Sequence, residues 1–262
     1  MTQISEEVKR RVREIRPRSV LYMYSAGKDS SLALLLTRDF VKELKEELGS
    51  EVYMLYVVIP GNTHPLNAFA AATVMEWHKR RYGFEPIYKC MPYVFQEYAA
   101  KYGLQMGKGR WCYTEFKNRI FREVEKALPR PQLHIDGMSP RDSSIRREIV
   151  KDVVEYVETT NRTWYYAWHP LFDLDLNNEE KLELLRRHEE FKPVVRLYEV
   201  FGDSLNCVVC PYKEESKLTR HHAAEDLSVL YYFAERCLRS RDWKERFSCV
   251  KAKPLSRFLK QA

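Results

Sequence analysis

Apolar residues along the chain follow two alternating spacings. Short runs rich in Val, Ile and Tyr are typical of buried strands, and between them apolar residues recur every three to four positions, as on one face of a helix. The strand-like runs lie at 20–24, 51–59, 86–90 and 132–136. The helical stripes lie at 4–15, 32–48, 67–82, 116–128 and 145–157. Strands that alternate with helices in this way predict an α/β protein with a doubly wound, mostly parallel sheet.

The pattern changes in the last third of the chain. The aromatic run Trp164–Trp168 is followed by a charged helical segment at 177–191 and by apolar positions of a further helix at 227–238. The aromatic run is expected to pack in the core or in a lid, with a base-stacking platform as the alternative. We therefore predict a main domain over 1–200 and a C-terminal helical extension over 201–262.

A turn of small residues joins the first predicted strand to the following helix. Its sequence is Ser-Ala-Gly-Lys-Asp-Ser-Ser, and the residues expected to bind a ligand are Ser25, Gly27, Lys28, Asp29, Ser30 and Ser31. The N–H groups and hydroxyls of such a turn suit phosphate oxygens, and a glycine lets the main chain approach the ligand closely. The helix dipole adds to this attraction. An ordinary turn capped by Asp29 or Ser30 is the alternative.

The spacing Ser-x-Gly-x-Asp-Ser resembles the PP-loop of ATP pyrophosphatases, where it usually reads Ser-Gly-Gly-x-Asp-Ser. Those enzymes cleave ATP between the α and β phosphates. Ala26 stands where glycine is commoner, which is a mild change if the residue needs no positive φ. The Gly-x-x-x-x-Gly-Lys-Ser/Thr pattern of Walker loops is absent from the sequence.

A second motif follows the strand predicted at 132–136. It resembles the Gly-Ile-Arg-x-x-Glu-Ser-x-x-Arg element of the phosphoadenosine phosphosulfate reductase family. Gly137, Ser143 and Arg146 match that element, whereas Asp142 replaces the glutamate and Ser139 stands where arginine is usual. Near a helix start, the matching serine and arginine would bind phosphate oxygens through charge-assisted hydrogen bonds. A capped helix with solvated arginines is the alternative.

Cysteines form a third constellation, in a Cys-x-x-Cys-Pro element and an Arg-Trp-Cys element that both resemble the same family. The candidate metal ligands are Cys112, Cys207, Cys210 and, as the fourth, Cys249 or Cys237. Thiolates suit zinc or an iron-sulfur cluster, and a substrate or sulfide could instead occupy an open fourth position. A redox dithiol and simple packing are the alternatives. Cys90 lies on a predicted strand and is expected in the core.

Composition limits the class of protein. A hydrophobic content of 45% with 31% charged residues is typical of soluble globular proteins, and the net charge of +7 suits a polyanionic partner. The charged first residues contain no signal-peptide core, and no apolar run approaches the roughly 20 residues of a membrane span. We therefore expect a cytoplasmic protein without membrane contact, in which cysteines serve metal, cluster or redox chemistry.

The motifs stand in family order over residues 20–215, and the resemblance implies an adenine nucleotide alpha-hydrolase-like fold. In that fold Val57, Val58 and Ile59 would flank adenine while the PP-loop holds the phosphates. The residues before about 200 would then form a PP-loop nucleotide-binding domain, and 201–262 would carry the Cys-x-x-Cys pair and a helical tail.

The resemblance implies two enzymatic functions. In the first, Mg-ATP is bound, an acceptor oxygen attacks the α-phosphorus, pyrophosphate leaves, and sulfur later displaces AMP. Lys28 and Arg146 would offset the growing charge, and Asp29 would order the loop or the metal. The acceptor would be tRNA or DNA, with a sulfur donor protein as partner. The second function is the reduction of a sulfonucleotide by a cysteine nucleophile. Nucleotide or nucleic-acid binding without turnover is a third alternative.

Overall fold

Six strands form one sheet in a computed structural model that describes residues 4–102, 111–139, 148–158 and 164–208. The strands are β1 (Ser19–Tyr24), β2 (Glu51–Val58), β3 (Glu85–Cys90), β4 (Gln132–Ile135), β5 (Val154–Glu158) and β6 (Trp164–Trp168). The described α-helices are α1 (Glu6–Ile15), α2 (Lys28–Leu48), α3 (Pro65–Tyr82), α4 (Phe95–Tyr102), α5 (Arg119–Ala127), α6 (Asn178–Arg186) and α7 (Lys192–Phe201). A π-helix, Tyr113–Asn118, precedes α5, and a 3-10 helix, Glu189–Phe191, precedes α7.

The order in which strands are added to the sheet reverses at β1. The order is β3-β2-β1-β4-β6-β5, and every neighbouring pair is parallel except β5 with β6. The chain runs from β1 outward to β3 and then returns to β4 on the other side of β1. Ligands of doubly wound sheets bind at the carboxyl ends of the strands at such a reversal. The predicted doubly wound, mostly parallel sheet is thus confirmed.

Alternate residues of β1 enter two different cores. Val20, Tyr22 and Tyr24 pack in a large cluster with residues of α1, α2 and α3, whereas Leu21 packs in a smaller cluster with Ile120 of α5. Successive side chains of a strand point to opposite faces, so a strand with helices on both sides is apolar throughout. This explains why β1 and β2 appear in the sequence as nearly continuous apolar runs.

The predicted helix at 145–157 is wrong in its second half. Helical structure ends at Ile149, which is 63% exposed, and the chain then forms β5, antiparallel to β6. The apolar positions around Val154 fit the helical and the strand period equally well over so short a stretch. Pairing with β6 decides the outcome, and β-branched and aromatic side chains favour it.

Other predicted helices differ mainly at their ends. Gly49 ends α2 with a φ of 68°, as expected for a glycine after a helix. The stripe at 116–128 is divided between the π-helix and α5, and the segment at 177–191 is divided between α6 and the 3-10 helix. The helix predicted at 227–238 lies outside the described residues, so the division near residue 200 stays a prediction. None of the described helices is long and apolar enough to span a bilayer.

Two sequence predictions about side-chain burial have opposite outcomes. Trp168, the last residue of the aromatic run, belongs to the core, as predicted. Its side chain is fully buried and contacts Phe40 edge to face, with the ring centroids 5.9 Å apart. The expectation that Cys90 is a core residue is wrong, because its side chain is exposed. It is the last residue of β3, and β3 is the outermost strand on its side of the sheet.

Candidate functional site

Three segments distant in sequence meet at the carboxyl ends of β1, β2 and β4. They are the loop that leads from β1 into α2, the turn 59–64 after β2, and residues 136–139 after β4. Gly137 packs directly on the first turn of α2, because a Cβ placed on it would lie 2.5 Å from both the Asp29 carbonyl carbon and the Ser30 nitrogen. The first two predicted motifs are therefore in contact through their backbones.

Ala26 is the residue of the loop that has a positive φ. Its φ is 52°, whereas Gly27 has an extended conformation with a φ of −91°. An L-residue in the left-handed region costs about 1 kcal/mol relative to glycine. The condition under which alanine would be a mild replacement, namely that residue 26 needs no positive φ, is therefore not met. Gly27 is favoured for a different reason, namely its small size. A Cβ at that position would lie 3.3 Å from the Ser25 hydroxyl, which is closer than an ordinary van der Waals contact.

The serine hydroxyls of the loop are bonded within the protein. Ser30 Oγ accepts a hydrogen bond from the Ser25 amide at 3.3 Å and lies 3.1 Å from the Gly27 carbonyl oxygen and 3.0 Å from Ser25 Oγ. Ser31 Oγ lies 3.1 Å from the buried Tyr24 hydroxyl. These bonds fix the shape of the loop, and contacts of these hydroxyls with phosphate stay predictions.

The amide groups at the start of α2 differ in their hydrogen bonds. Gly27 provides no side-chain cap, and the Lys28 amide donates to the Tyr198 hydroxyl oxygen at 3.1 Å. Among the described residues, no acceptor lies within hydrogen-bonding distance of the Asp29 and Ser30 amides. The first turn of a helix leaves such N–H groups without intrahelical partners, and an anion can satisfy them.

A carboxylate between two ammonium groups is the main charged feature of the site. Asp29 accepts from Lys28 Nζ at 2.6 Å and from Lys181 Nζ at 2.7 Å. Burial raises the pKa of Asp29, but the two ammonium groups lower it by more, so it lies below its usual value. The three side chains Lys28, Asp29 and Lys181 together have a net charge of +1. Both carboxylate oxygens are engaged, which favours the role of ordering the loop over that of binding a metal.

Lys181 was missed by the sequence analysis. Its side chain is only 2% exposed although α6 is a strongly charged helix. Lysine is rarely buried without an ionic partner. The available signal was its position one helical turn before Leu185, because a lysine on the apolar face of a helix needs an acidic partner in the core.

Two asparagines hold the first carbonyl group of the loop. The Ser25 carbonyl oxygen accepts from Asn67 Nδ2 at 3.3 Å and from Asn206 Nδ2 at 3.4 Å. Asn67 Oδ1 in turn accepts from the Tyr56 hydroxyl at 2.5 Å. No pattern in the sequence indicated these residues, because single asparagines in turns and helices carry no recognisable spacing.

The segment that contains Cys207 lies along the turn after β2. Its backbone bonds join Leu205 O to the His64 amide at 3.2 Å and the Val208 amide to Asn62 O at 2.8 Å. The preceding residue, Asn206, touches the loop through the Ser25 carbonyl. The structure therefore brings one predicted metal ligand next to the predicted phosphate loop.

Cys112 belongs to an element that reaches the same segment. It immediately precedes the π-helix, and Lys117 of that helix donates to Asn206 Oδ1 at 2.9 Å. Since π-helical hydrogen bonds join residues five apart, Lys117 lies about one turn after Cys112. Among the described residues no group of three or more His, Cys, Asp and Glu side chains could hold a metal ion.

Five predicted site residues lie outside the described residues: Ser143, Arg146, Cys210 and the two candidates for the fourth ligand, Cys249 and Cys237. Their roles, and with them a zinc or iron-sulfur site, stay predictions. Val58 ends β2 at the same edge of the sheet as the loop, and Val57 is buried against the α5 side. Their contact with an adenine ring stays a prediction.

Gly137 offers a test of the contact between the two motifs. Gly137→Ala is expected to weaken nucleotide binding at least about tenfold, because the new methyl group would push the first turn of α2 away from its position. Gly49→Ala is the matched control, since its φ is positive but a Cβ there meets nothing within 4 Å. It should lower stability by about 1 kcal/mol and leave binding unchanged. Equal binding by both variants would contradict the contact.

A buried histidine links the segment after β4 to the end of β6. His169 Nδ1 lies 2.9 Å from Asp136 Oδ1, and its Nε2 lies 3.2 Å from Glu155 Oε1. Asp136 Oδ1 also accepts from the Met138 amide at 2.9 Å. Burial lowers the pKa of His169, but the two carboxylates raise it by more, so it lies above its usual value. His169 therefore holds the segment that contains Gly137.

The raised pKa of His169 predicts a pH dependence of stability. A pKa that is higher in the folded than in the unfolded state adds stability below the unfolded value of 6.5, and this stability is lost as the pH rises through the folded value. The free energy of unfolding should therefore fall as the pH rises above 6.5. Chemical denaturation at several pH values measures it. His169→Gln should lack this part of the dependence, and an identical profile in the variant would contradict the assignment.

Comparisons with known proteins find only a remote structural likeness. No protein-family model and no curated protein matches the chain. Thirteen solved chains do, among them the FMN adenylyltransferase of Candida glabrata, solved with FMN and the ATP analogue AMPCPP. Its TM-score is 0.40 at 15% identity, covering 64% of this chain and 48% of that chain. The chain thus spans about half the length of that protein. A likeness this remote shows nothing about the activity of the chain.

Proposed function

We propose that the chain binds ATP on the loop between β1 and α2 and transfers its adenylyl group to an acceptor, with release of pyrophosphate. The observation that carries this proposal is the pair of amides at the start of α2, those of Asp29 and Ser30, for which the described part of the chain offers no hydrogen-bond partner, next to the Lys28–Asp29–Lys181 charge cluster. Helix N-terminal amides and a net positive charge are the groups that bind phosphate oxygens. The resemblance of the loop to the PP-loop specifies the α-phosphorus as the point of attack.

The chemistry follows from these groups. An acceptor oxygen forms a bond to the α-phosphorus while the bond to the bridging oxygen of pyrophosphate breaks, and negative charge grows on the leaving group. Lys28, whose side chain is 13% exposed, offsets this charge, and Arg146 is proposed to assist it. Magnesium bound to ATP would neutralise phosphate oxygens. Since both Asp29 oxygens bind lysines, the phosphates themselves would be its principal ligands.

Sulfur transfer is the second part of the proposal. Cys207 lies next to the loop through Asn206, and Cys112 precedes the π-helix that contacts Asn206. With Cys210 and Cys249 they would hold an iron-sulfur cluster or zinc. Sulfide-level sulfur from a donor would then form a bond to the activated atom of the acceptor while the bond from that atom to AMP breaks. The net charge of +7 favours tRNA or DNA as that acceptor. A sulfur donor protein is the partner that we propose for this step.

A sulfonucleotide reductase is the second candidate, because a cysteine beside a nucleotide phosphate loop is also what a thiol attack on a sulfonucleotide requires. One experiment separates the candidates. Purified protein is given ATP with tRNA or DNA, and in parallel phosphoadenosine phosphosulfate with a thiol reductant, and the release of pyrophosphate and of sulfite is measured.

Variants of two lysines on the same helix serve as controls for this experiment. Pyrophosphate release that is lost in Lys28→Met and kept in Lys42→Met supports adenylyl transfer at the loop, since Lys42 is 48% exposed and lies far along α2. Sulfite release supports the reductase. Nucleotide binding without either product leaves binding without turnover as the function, and the absence of binding overturns the proposal.

A further inference from the structure

Aromatic side chains form a partly exposed group around α4 and the π-helix. They are Tyr93, Tyr98, Tyr102 and Trp111, hereafter the aromatic cluster, and they pack over the buried Phe95 and Phe116. Ring centroids lie 4.6 Å apart between Tyr93 and Tyr98 and 5.7 Å apart between Tyr98 and Tyr102. Tyr102, at the end of α4, is 38% exposed. Its ring therefore offers a surface on which a nucleobase can stack.

Hydrogen bonds fix the aromatic cluster beside the phosphate-type loop. The Phe95 amide donates to the Pro60 carbonyl oxygen, in the turn after β2, at 2.8 Å. From the π-helix, Lys117 Nζ donates to Asn206 Oδ1 at 2.9 Å, and Asn206 Nδ2 donates to the Ser25 carbonyl oxygen at 3.4 Å. A molecule that binds the aromatic cluster is therefore held next to the loop.

Charges around the aromatic cluster favour a polyanion. Lys117 Nζ is bonded to a neutral amide oxygen, and Lys101 Nζ lies 5.0 Å from the ring centre of the next residue. Neither lysine has an ion pair among the described residues, whereas Glu115 pairs with Arg119 at 2.9 Å. The exposed Glu97 of α4 offsets one of the two lysines, so a net positive charge remains. Aromatic rings next to unpaired positive charge are typical of surfaces that bind single-stranded nucleic acid.

We propose that the aromatic cluster binds unpaired nucleotides of the acceptor, with a base stacked on Tyr102 and phosphates close to Lys101 and Lys117. The proposal rests on the proposed function in one respect, namely that the acceptor is a nucleic acid. Inside a duplex the faces of a base are covered by its neighbours, so a base must be unpaired and unstacked to reach a protein ring. A peptide with apolar side chains would gain nothing from the two lysines.

The test measures the binding of a labelled single-stranded RNA of about ten nucleotides, and of DNA with the same sequence, by fluorescence anisotropy without ATP. Tyr102→Ala is expected to weaken binding about tenfold, because one stacked base is lost. Tyr102→Phe keeps the ring and should bind within about twofold of the unmodified protein. Binding of either oligonucleotide supports the inference, and the tighter of the two identifies the kind of acceptor.

Tyr156→Ala is the matched control. Tyr156 is 55% exposed, but it lies on β5, at the edge of the sheet opposite β3 and α4. Its removal should change the affinity for the oligonucleotides less than about twofold. Equal losses in Tyr102→Ala and Tyr156→Ala would overturn the inference. A blunt duplex of the same length that binds as tightly as the single strand would also overturn it, since binding would then depend on phosphates alone.

The outcomes separate this inference from the proposed function. If the unmodified protein releases pyrophosphate from ATP but binds neither oligonucleotide, the inference fails and adenylyl transfer stands. If the oligonucleotide binds through Tyr102 but no pyrophosphate is released, the inference stands and the proposed function fails. Calorimetry with an uncleavable ATP analogue should give the same affinity for Tyr102→Ala as for the unmodified protein. A loss of that affinity would assign the ring to the adenine of ATP and overturn the inference.

Discussion

Asp29→Asn is expected to lower the free energy of unfolding by about 3 kcal/mol, because it leaves a buried lysine without its counter-ion. Lys181 Nζ is bonded to Asp29 Oδ1, and the lysine side chain is only 2% exposed. Lys28, bonded to the other carboxylate oxygen, is also largely buried. An asparagine keeps one acceptor oxygen but removes the charge that balances two ammonium groups.

A double-mutant cycle tests this explanation. If the loss arises from the unpaired ammonium group, Lys181→Met in the Asp29→Asn background should restore at least about 1 kcal/mol, since the charge without a partner is then removed. Equilibrium denaturation in urea of the unmodified chain, both single variants and the double variant gives the coupling energy. Additive effects of the two substitutions would contradict a direct interaction between Asp29 and Lys181.

Lys181→Met alone is expected to weaken nucleotide binding roughly 30-fold while leaving a folded protein. Without Lys181 the charge of the cluster falls from +1 to zero, because Lys28 and Asp29 then neutralise each other. By Coulomb's law, two unit charges about 7 Å apart interact by about 2 kcal/mol at an effective dielectric constant of about 20, and we take this as the size of the expected loss. Lys181 acts through Asp29, so we regard it as a positioning residue. Calorimetric titration with an uncleavable ATP analogue measures the loss.

The control for this prediction is a lysine that makes only an exposed ion pair. Lys192, at the start of α7, is 63% exposed and pairs with Glu189. Lys192→Met removes the same charge from the whole molecule and should change the affinity less than about twofold. Equal losses in the two variants would assign the effect to net charge and contradict a local role for Lys181. A raised salt concentration should weaken binding to the unmodified chain more than to Lys181→Met.

Different parts of the structure were predictable for different reasons. The central strands β1 and β2 were evident because both of their faces are buried, which makes the sequence apolar throughout. The loop was evident because glycine, serine and aspartate are placed where a strand gives way to a helix. β5 was not evident, because it is short and its apolar positions fit a helix equally well until β6 pairs with it.

By itself, the sequence determined the succession of strands and helices, the phosphate-type loop between the first pair of them, and the cysteine elements. These are local properties, set by the spacing of apolar residues and by the conformations that small residues permit. Only the tertiary structure decided that Ala26 takes the left-handed conformation, that Lys181 pairs with Asp29, and that Asn206 lies between the loop and Cys207. Each of these depends on segments separated by more than 100 residues or on how the loop is packed. A single charged or amide side chain gives no sign in the sequence of the partner that folding brings to it.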